Sequence, residues 1–148
     1  ASQYRQAFAW AGLVLDSEDS DTEKTLLPAL NTLLTRSGAL VALPDASIYH
    51  RNNIKAILIT AFRHQRPVIG YSTAFVTAGA LAALHSTPSQ IARQTAEMIV
   101  SNGTNLAAPS GPTQFAIAIN PNVAQALGLN ILDEASLRRA ILADRDAR

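Results

Sequence analysis

The sequence predicts an α/β fold, an open parallel sheet of Rossmann-like type with helices on both faces. Three observations carry that prediction. Continuous apolar runs at Ala39–Leu43 and Pro67–Tyr71 are too short for helices and too unbroken for half-exposed strands, which is the pattern of strands buried on both faces. Each run leads through turn residues into a segment with helical apolar spacing, so strand and helix alternate along the chain. Repeated strand, turn and helix units imply parallel strands joined by right-handed crossovers.

Gln3 to Ala11 reads as a helix ended by Gly12, and Leu13–Leu15 as a short apolar strand. The acidic turn from Asp16 to Glu23 leads into a helix through about Thr35. Pro28 belongs in the first turn of that helix, where a missing N–H costs nothing, so the start falls near Lys24 or Thr25. Ser37-Gly38 stops it before the buried strand Ala39–Leu43. Pro44-Asp45-Ala46-Ser47 then turns the chain into a long helix from Tyr49 to Gln65, with Ile54, Ile57, Leu58, Ala61 and Phe62 at core spacing.

After the strand Pro67–Tyr71, a helix opens at Ser72 or Thr73, and Leu81 to Leu84 forms an apolar link. Thr87-Pro88-Ser89-Gln90 is a capping box with proline at the first helical position. A loop rich in Gly, Pro, Asn and Ser runs from Ser101 to Pro112. Phe115–Ile119 alternates as a strand, Asn120-Pro121 starts a short helix closed by Gly128, and Asp133 begins a charged C-terminal helix.

Composition bounds the function. With 148 residues, 48% of them hydrophobic and 16% charged, the chain can bury a core of its own, and one domain over 1–148 is the default. Twelve basic residues against eleven acidic ones, ten of the basic ones arginines scattered along the chain, make no nucleic-acid surface. Cysteine is absent, which removes disulfides, thiolate metal sites and cysteine nucleophiles. No run of 18 apolar residues exists to span a membrane. Opening on Ala1 without a leader, the chain reads as processed or trimmed.

Parallel strands end at one edge, so residues just after Leu43 and just after Tyr71 are expected around one crevice. The ligand-binding candidates are Asp45, Ser47, Tyr49, Tyr71, Ser72 and Thr73, with His85 at the end of the apolar link. Asp45, Ser47 and Ser72 are equally suited to capping the helices that follow them. A lone histidine such as His85 is more often a hydrogen-bonded structural residue than a ligand contact.

Other constellations carry no chemistry. His50 and His64 share one helix, but fourteen residues at 1.5 Å rise hold them about 21 Å apart, beyond a shared metal. Asp16, Glu18, Asp19 and Asp21 lack the glycine and terminal glutamate of a calcium loop and read as a solvated connection. There is no GxGxxG, phosphate loop or GxSxG, and Asn102-Gly103-Thr104 is a sequon of the kind chance supplies. No nucleophile, base and orienting group can be assembled, so neither an enzyme nor a cofactor is expected.

Five landmarks then fall in one order: Leu43-Pro44-Asp45, Arg66 to Ser72, Ala78 to Ala82, Ser86 to Gln94, and Pro112 to Asn120 followed by Val123 to Leu129. Over about Leu27 to Leu142 they resemble the C-terminal half of the substrate-binding proteins of ABC transporters. That resemblance implies one lobe of a type I periplasmic-binding-protein-like fold, capturing a small polar solute without catalysis. It also implies a periplasmic location and a membrane permease as partner. A sensing or interaction module of the same fold, signalling to a membrane receptor, is the alternative. Many amino-acid-binding members carry an acidic residue followed by tyrosine where this chain has Thr87 and Pro88, which speaks against an amino-acid ligand.

The resemblance also implies that elements from Ser89 onward pack on a first lobe that the chain does not supply. The helix face of Ile91, Thr95, Met98 and Ile99 and the strand Phe115–Ile119 would then be uncovered, which predicts a two-fold homodimer.

Overall fold

The computed structural model describes residues 2–20, 23–103, 105, 108 and 110–146. Ala1, Asp21 and Thr104 of the residues named above lie outside them. Two compact units are present, one of Ala1–Leu40 with Asp45–Pro67, the other of Val41–Pro44 with Val68–Arg148.

The first unit holds α1 (Ser2–Trp10), α2 (Glu23–Arg36) and α3 (Arg51–Arg63). Gly12, at φ +71°, ends α1 in the left-handed region where a Cβ is strained, and the Leu13 N–H returns to the Phe8 carbonyl at 2.9 Å. The strand expected at Leu13–Leu15 does not form. Val14 is 95% exposed, and a strand with neither a ladder partner nor a covered face gains nothing from extension. Arg5 holds the segment instead, donating to the Leu15 carbonyl at 3.2 Å and the Ser17 hydroxyl at 2.9 Å.

The acidic turn is likewise more than a solvated connection. Arg36 pairs with both Asp16 and Glu18, and this holds the Asp16 carboxyl below its ordinary range and raises the guanidinium. Helix α2 begins at Glu23, so Pro28 lies inside it rather than in its first turn, and one backbone hydrogen bond is forfeited there. In α3 the buried stripe is Asn53, Ile57, Leu58 and Ala61, whereas Phe62 sits at the margin of that stripe and is 44% exposed. Asn53 is accommodated because its amide donates to the Ile48 carbonyl at 3.1 Å. Leu26, Leu30 and Leu34 of α2 complete this core, and His64 Nε2 meets Asn31 Oδ1 at 2.8 Å between the two helices.

Four strands form one sheet in the order β1-β2-β3-β4: Leu40–Val41, Val68–Gly70, Ala82–His85 and Ala116–Ile119. The bonds Leu40 N–H to Pro67 C=O and Ala42 N–H to Ile69 C=O, both 2.9 Å, advance together along the two chains, so β1 and β2 run parallel. β3 joins β2 in parallel, with Ile69 opposite Ala82 and Gly70 opposite Ala83. The segment expected as an apolar link is therefore a strand. Its alanines have low strand propensity, and tertiary pairing overrides that preference.

β4 is antiparallel to β3, with Ala82 opposite Ile119 and His85 opposite Ala116, which corrects the wholly parallel sheet. The cause lies in the connection. A parallel crossover needs a helix that buries one face on the sheet, but α5 (Pro88–Asn102) buries none of its residues. The second unit also holds α4 (Thr73–Ala78), α6 (Pro121–Ala126) and α7 (Glu134–Asp146), around a core of Val68, Phe75, Val76, Leu81, Ala83 and Phe115. Asn120 caps α6 through the N–H groups of Asn122 and Val123, and its amide donates to the Val76 carbonyl at 3.1 Å. Asp133 caps α7 in the same way, accepting from the Ser136 N–H at 3.0 Å and the Ser136 hydroxyl at 2.7 Å.

Candidate functional site

In the first unit, Asp45, Ser47 and Tyr49 build a turn ahead of α3. Asp45 Oδ1 accepts from the Ser47 N–H at 2.9 Å and the Ser47 hydroxyl at 2.6 Å, and the Tyr49 N–H reaches the Asp45 carbonyl at 2.8 Å. This is the local side-chain closure that aspartate makes in turns. The N-cap position of α3 is His50, so neither Asp45 nor Ser47 caps that helix. Asp45 and Ser47 are exposed and Tyr49 is half-buried.

The Ser47 hydroxyl, and next the Ser47 N–H, hold the Asp45 carboxyl below its ordinary range. A carboxyl depressed in the folded state stabilises above its unfolded pKa of about 3.9, and that contribution is lost as pH falls through the folded value. Asp45→Ala is therefore expected to lower Tm slightly at pH 7, with the difference from wild type shrinking towards pH 3. A constant difference across that range would show that the carboxylate charge plays no part in the turn.

In the second unit, four candidates gather at one edge of the sheet. β2 and β3 are parallel, so Tyr71, Ser72 and Thr73 leave β2 at the edge where His85 ends β3. Continuing the register two residues past Gly70 and Ala83 puts Ser72 level with His85. Ser72 has the extended backbone of an N-cap but makes no capping bond through its side chain. Among the described residues neither its hydroxyl nor that of Thr73 has a hydrogen-bond partner. The Tyr71 ring tilts onto Phe75 with centroids 4.8 Å apart.

His85 Nδ1 is buried and has no hydrogen-bond partner among the described residues. Its sequence neighbours are engaged elsewhere: the Ser86 hydroxyl donates to the Gln114 carbonyl at 2.8 Å, and Thr87 forms a complete capping box with Gln90. At this edge the hydroxyls of half-buried Ser72 and exposed Thr73 are therefore uncommitted within the protein, and the Nδ1 of His85 is buried. The strand-end rule names Ser72 and Thr73 from the sequence, whereas His85 enters there only as the end of an apolar link.

Two concavities of the second unit were not foreseen. One of about 720 Å³ is lined by Ile119, Leu129, Ile131, Leu132 and Glu134 among others; another of about 220 Å³ lies between Ile91, Thr95 and Met98 of α5 and Pro112. Neither includes a predicted ligand residue. Gln94 spans the second, donating to the Gly111 carbonyl at 3.1 Å and accepting from the Thr113 N–H at 2.9 Å. Its place one helical turn after the capping glutamine was the only sequence signal. Among the described residues no cluster of three His, Asp or Glu is placed to hold a metal, and no helix is long and apolar enough to cross a membrane.

The family model for ABC transporter substrate binding proteins matches residues 13–141, most of the chain. The chain belongs to that family. Its members bind substrates and are not catalysts. Among solved structures, the chain is similar to a conserved domain protein from Vibrio cholerae O1 biovar El Tor, with 25% identity and a TM-score of 0.67 over 93% of this chain and 47% of that one. It is similar in fold to the ABC domain from Streptococcus pneumoniae in complex with L-Trp, with 19% identity and a TM-score of 0.67 over 93% and 48%. A third is the ligand-free, open structure of CD0873, a substrate binding protein with adhesive properties from Clostridium difficile. There the identity is 18% and the TM-score 0.69, over 89% and 45%. The chain thus spans about half the length of these proteins. No curated protein matches it.

Proposed function

We propose that the chain forms part of the substrate-binding component of an ABC-type uptake system and captures a small polar solute without chemical change. The uncommitted hydroxyls of Ser72 and Thr73 and the buried Nδ1 of His85, together at the carboxyl ends of two parallel strands, support this reading most directly. Tyr71 lies at the same edge and adds an aromatic surface. A buried polar atom such as His85 Nδ1 is costly in a folded protein unless a ligand or water meets it. L-Trp bound to the Streptococcus pneumoniae relative supports a ligand of about that size. The chain would act in the periplasm or at the outer face of the cytoplasmic membrane, with a membrane permease as partner.

Titration calorimetry with a panel of small metabolites tests the reading. A ligand that raises Tm and whose affinity falls in Ser72→Ala and Thr73→Ala supports it; a ligand indifferent to both substitutions refutes the assignment. Asp45→Ala serves as comparison. Its carboxylate is already engaged by Ser47, so its affinity is expected to stay at the wild-type value.

Self-association is a second part of the proposal. Ile91 and Ile99 of α5 are 55% and 62% exposed, and β4 is an edge strand of the sheet. An apolar helical face together with an open edge favours pairing of two copies. Light scattering at micromolar concentration is expected to show a dimer that Ile99→Asp dissociates. A wild-type mass of 15.7 kDa throughout would refute it.

A further inference from the structure

Resting on the binding role proposed above, we infer that the ligand presents a neutral, hydroxyl-bearing surface to the second unit, as a sugar or polyol does, and donates one hydroxyl to His85 Nδ1. The juxtaposition behind this is a buried, unpartnered imidazole nitrogen in a setting without formal charge.

Three stretches converge on the edge where β3 ends. They are the junction of β2 with α4, the junction of β3 with α5, and the chain entering β4, whose Ala116 lies opposite His85. All three fall within Pro67–Ala92 and Met98–Leu132, and those two runs contain no Asp, Glu, Lys or Arg. The guanidinium of Arg138 lies 5.8 Å from the ring centroid of Phe115, the residue before Ala116. Side chains alternate along a strand, so Phe115 and its arginine lie on the opposite face from Ala116 and His85.

A charged ligand group set against this surface would lose its hydration and meet no counter-charge. A hydroxyl asks only for neutral donors and acceptors. The hydroxyls of Ser72 and Thr73 can do both, and an imidazole nitrogen that carries no proton accepts. The neighbouring hydroxyls of Ser86 and Thr87 are already bonded within the protein, so they do not relieve Nδ1.

Calorimetry with matched probes tests this: glucose, glucosamine and glucose 6-phosphate, then myo-inositol and its monophosphate, with L-tryptophan alongside. A neutral sugar or polyol is expected to bind, to weaken about five- to tenfold in His85→Phe, and to recover in His85→Asn, whose Oδ1 takes the place of Nδ1. Upfield movement of the wild-type Nδ1 resonance on adding that probe is expected too, and decides the matter if His85→Phe does not fold. If only a charged probe or L-tryptophan binds, or if His85→Phe binds the neutral probe as wild type does, the inference is overturned and the binding role stands. No binding by any probe overturns both.

Discussion

Leu34→Ala is expected to cost about 3–5 kcal/mol, the largest loss from any single truncation in the first unit. Leu34 and Ile57 are the largest fully buried side chains, at 0% and 1% exposure, and they come from the two helices that pack together there. Truncation removes the transfer free energy of the deleted carbons and leaves a cavity that packed helices refill only in part. Total stability of a small protein is about 5–15 kcal/mol, so the variant should unfold at far lower urea than wild type. Leu27→Ala, on the same helix but 40% exposed, should cost much less. If both variants shift the urea midpoint equally, the core does not lie where the burial of Leu34 puts it.

Legibility in the sequence followed the strength of the local signal. Thr87-Pro88-Ser89-Gln90 specified the start of α5 because capping, proline and reciprocal glutamine agree within four residues, and the capping box forms as read. The strands near Leu40 and Val68 and the helix starts at Asn120 and Asp133 were legible for the same reason. β3 was not. Ala82-Ala83-Leu84-His85 holds no β-branched residue, and only pairing with β2 on one side and β4 on the other makes it a strand.

The direction of β4 was illegible because it depends on where α5 packs, and an amphipathic pattern does not reveal that α5 buries none of its residues. The charge-free runs around the sheet edge were plain in the sequence. Their meaning was not, because only the register of β2 and β3 puts Ser72 level with a buried imidazole.

Gly70→Ala should destabilise the second unit by about 1–3 kcal/mol and weaken ligand binding with it. A Cβ built on Gly70 would stand 2.6 Å from Phe75 Cβ and 2.8 Å from its Cγ, closer than real carbon contacts. Phe75 is 3% exposed and sits in α4 one turn after Ser72 and Thr73, so it cannot yield without moving that helix. Glycine here lets helix and strand approach closely enough to hold the two hydroxyls at the strand end. Removing the ring should then relieve the contacts beyond Cβ: Gly70→Ala with Phe75→Ala is expected to cost less than the two single changes added together. Strict additivity in stability, with ligand affinity unchanged in Gly70→Ala, would mean that the close approach of α4 to β2 neither strains the fold nor positions the site.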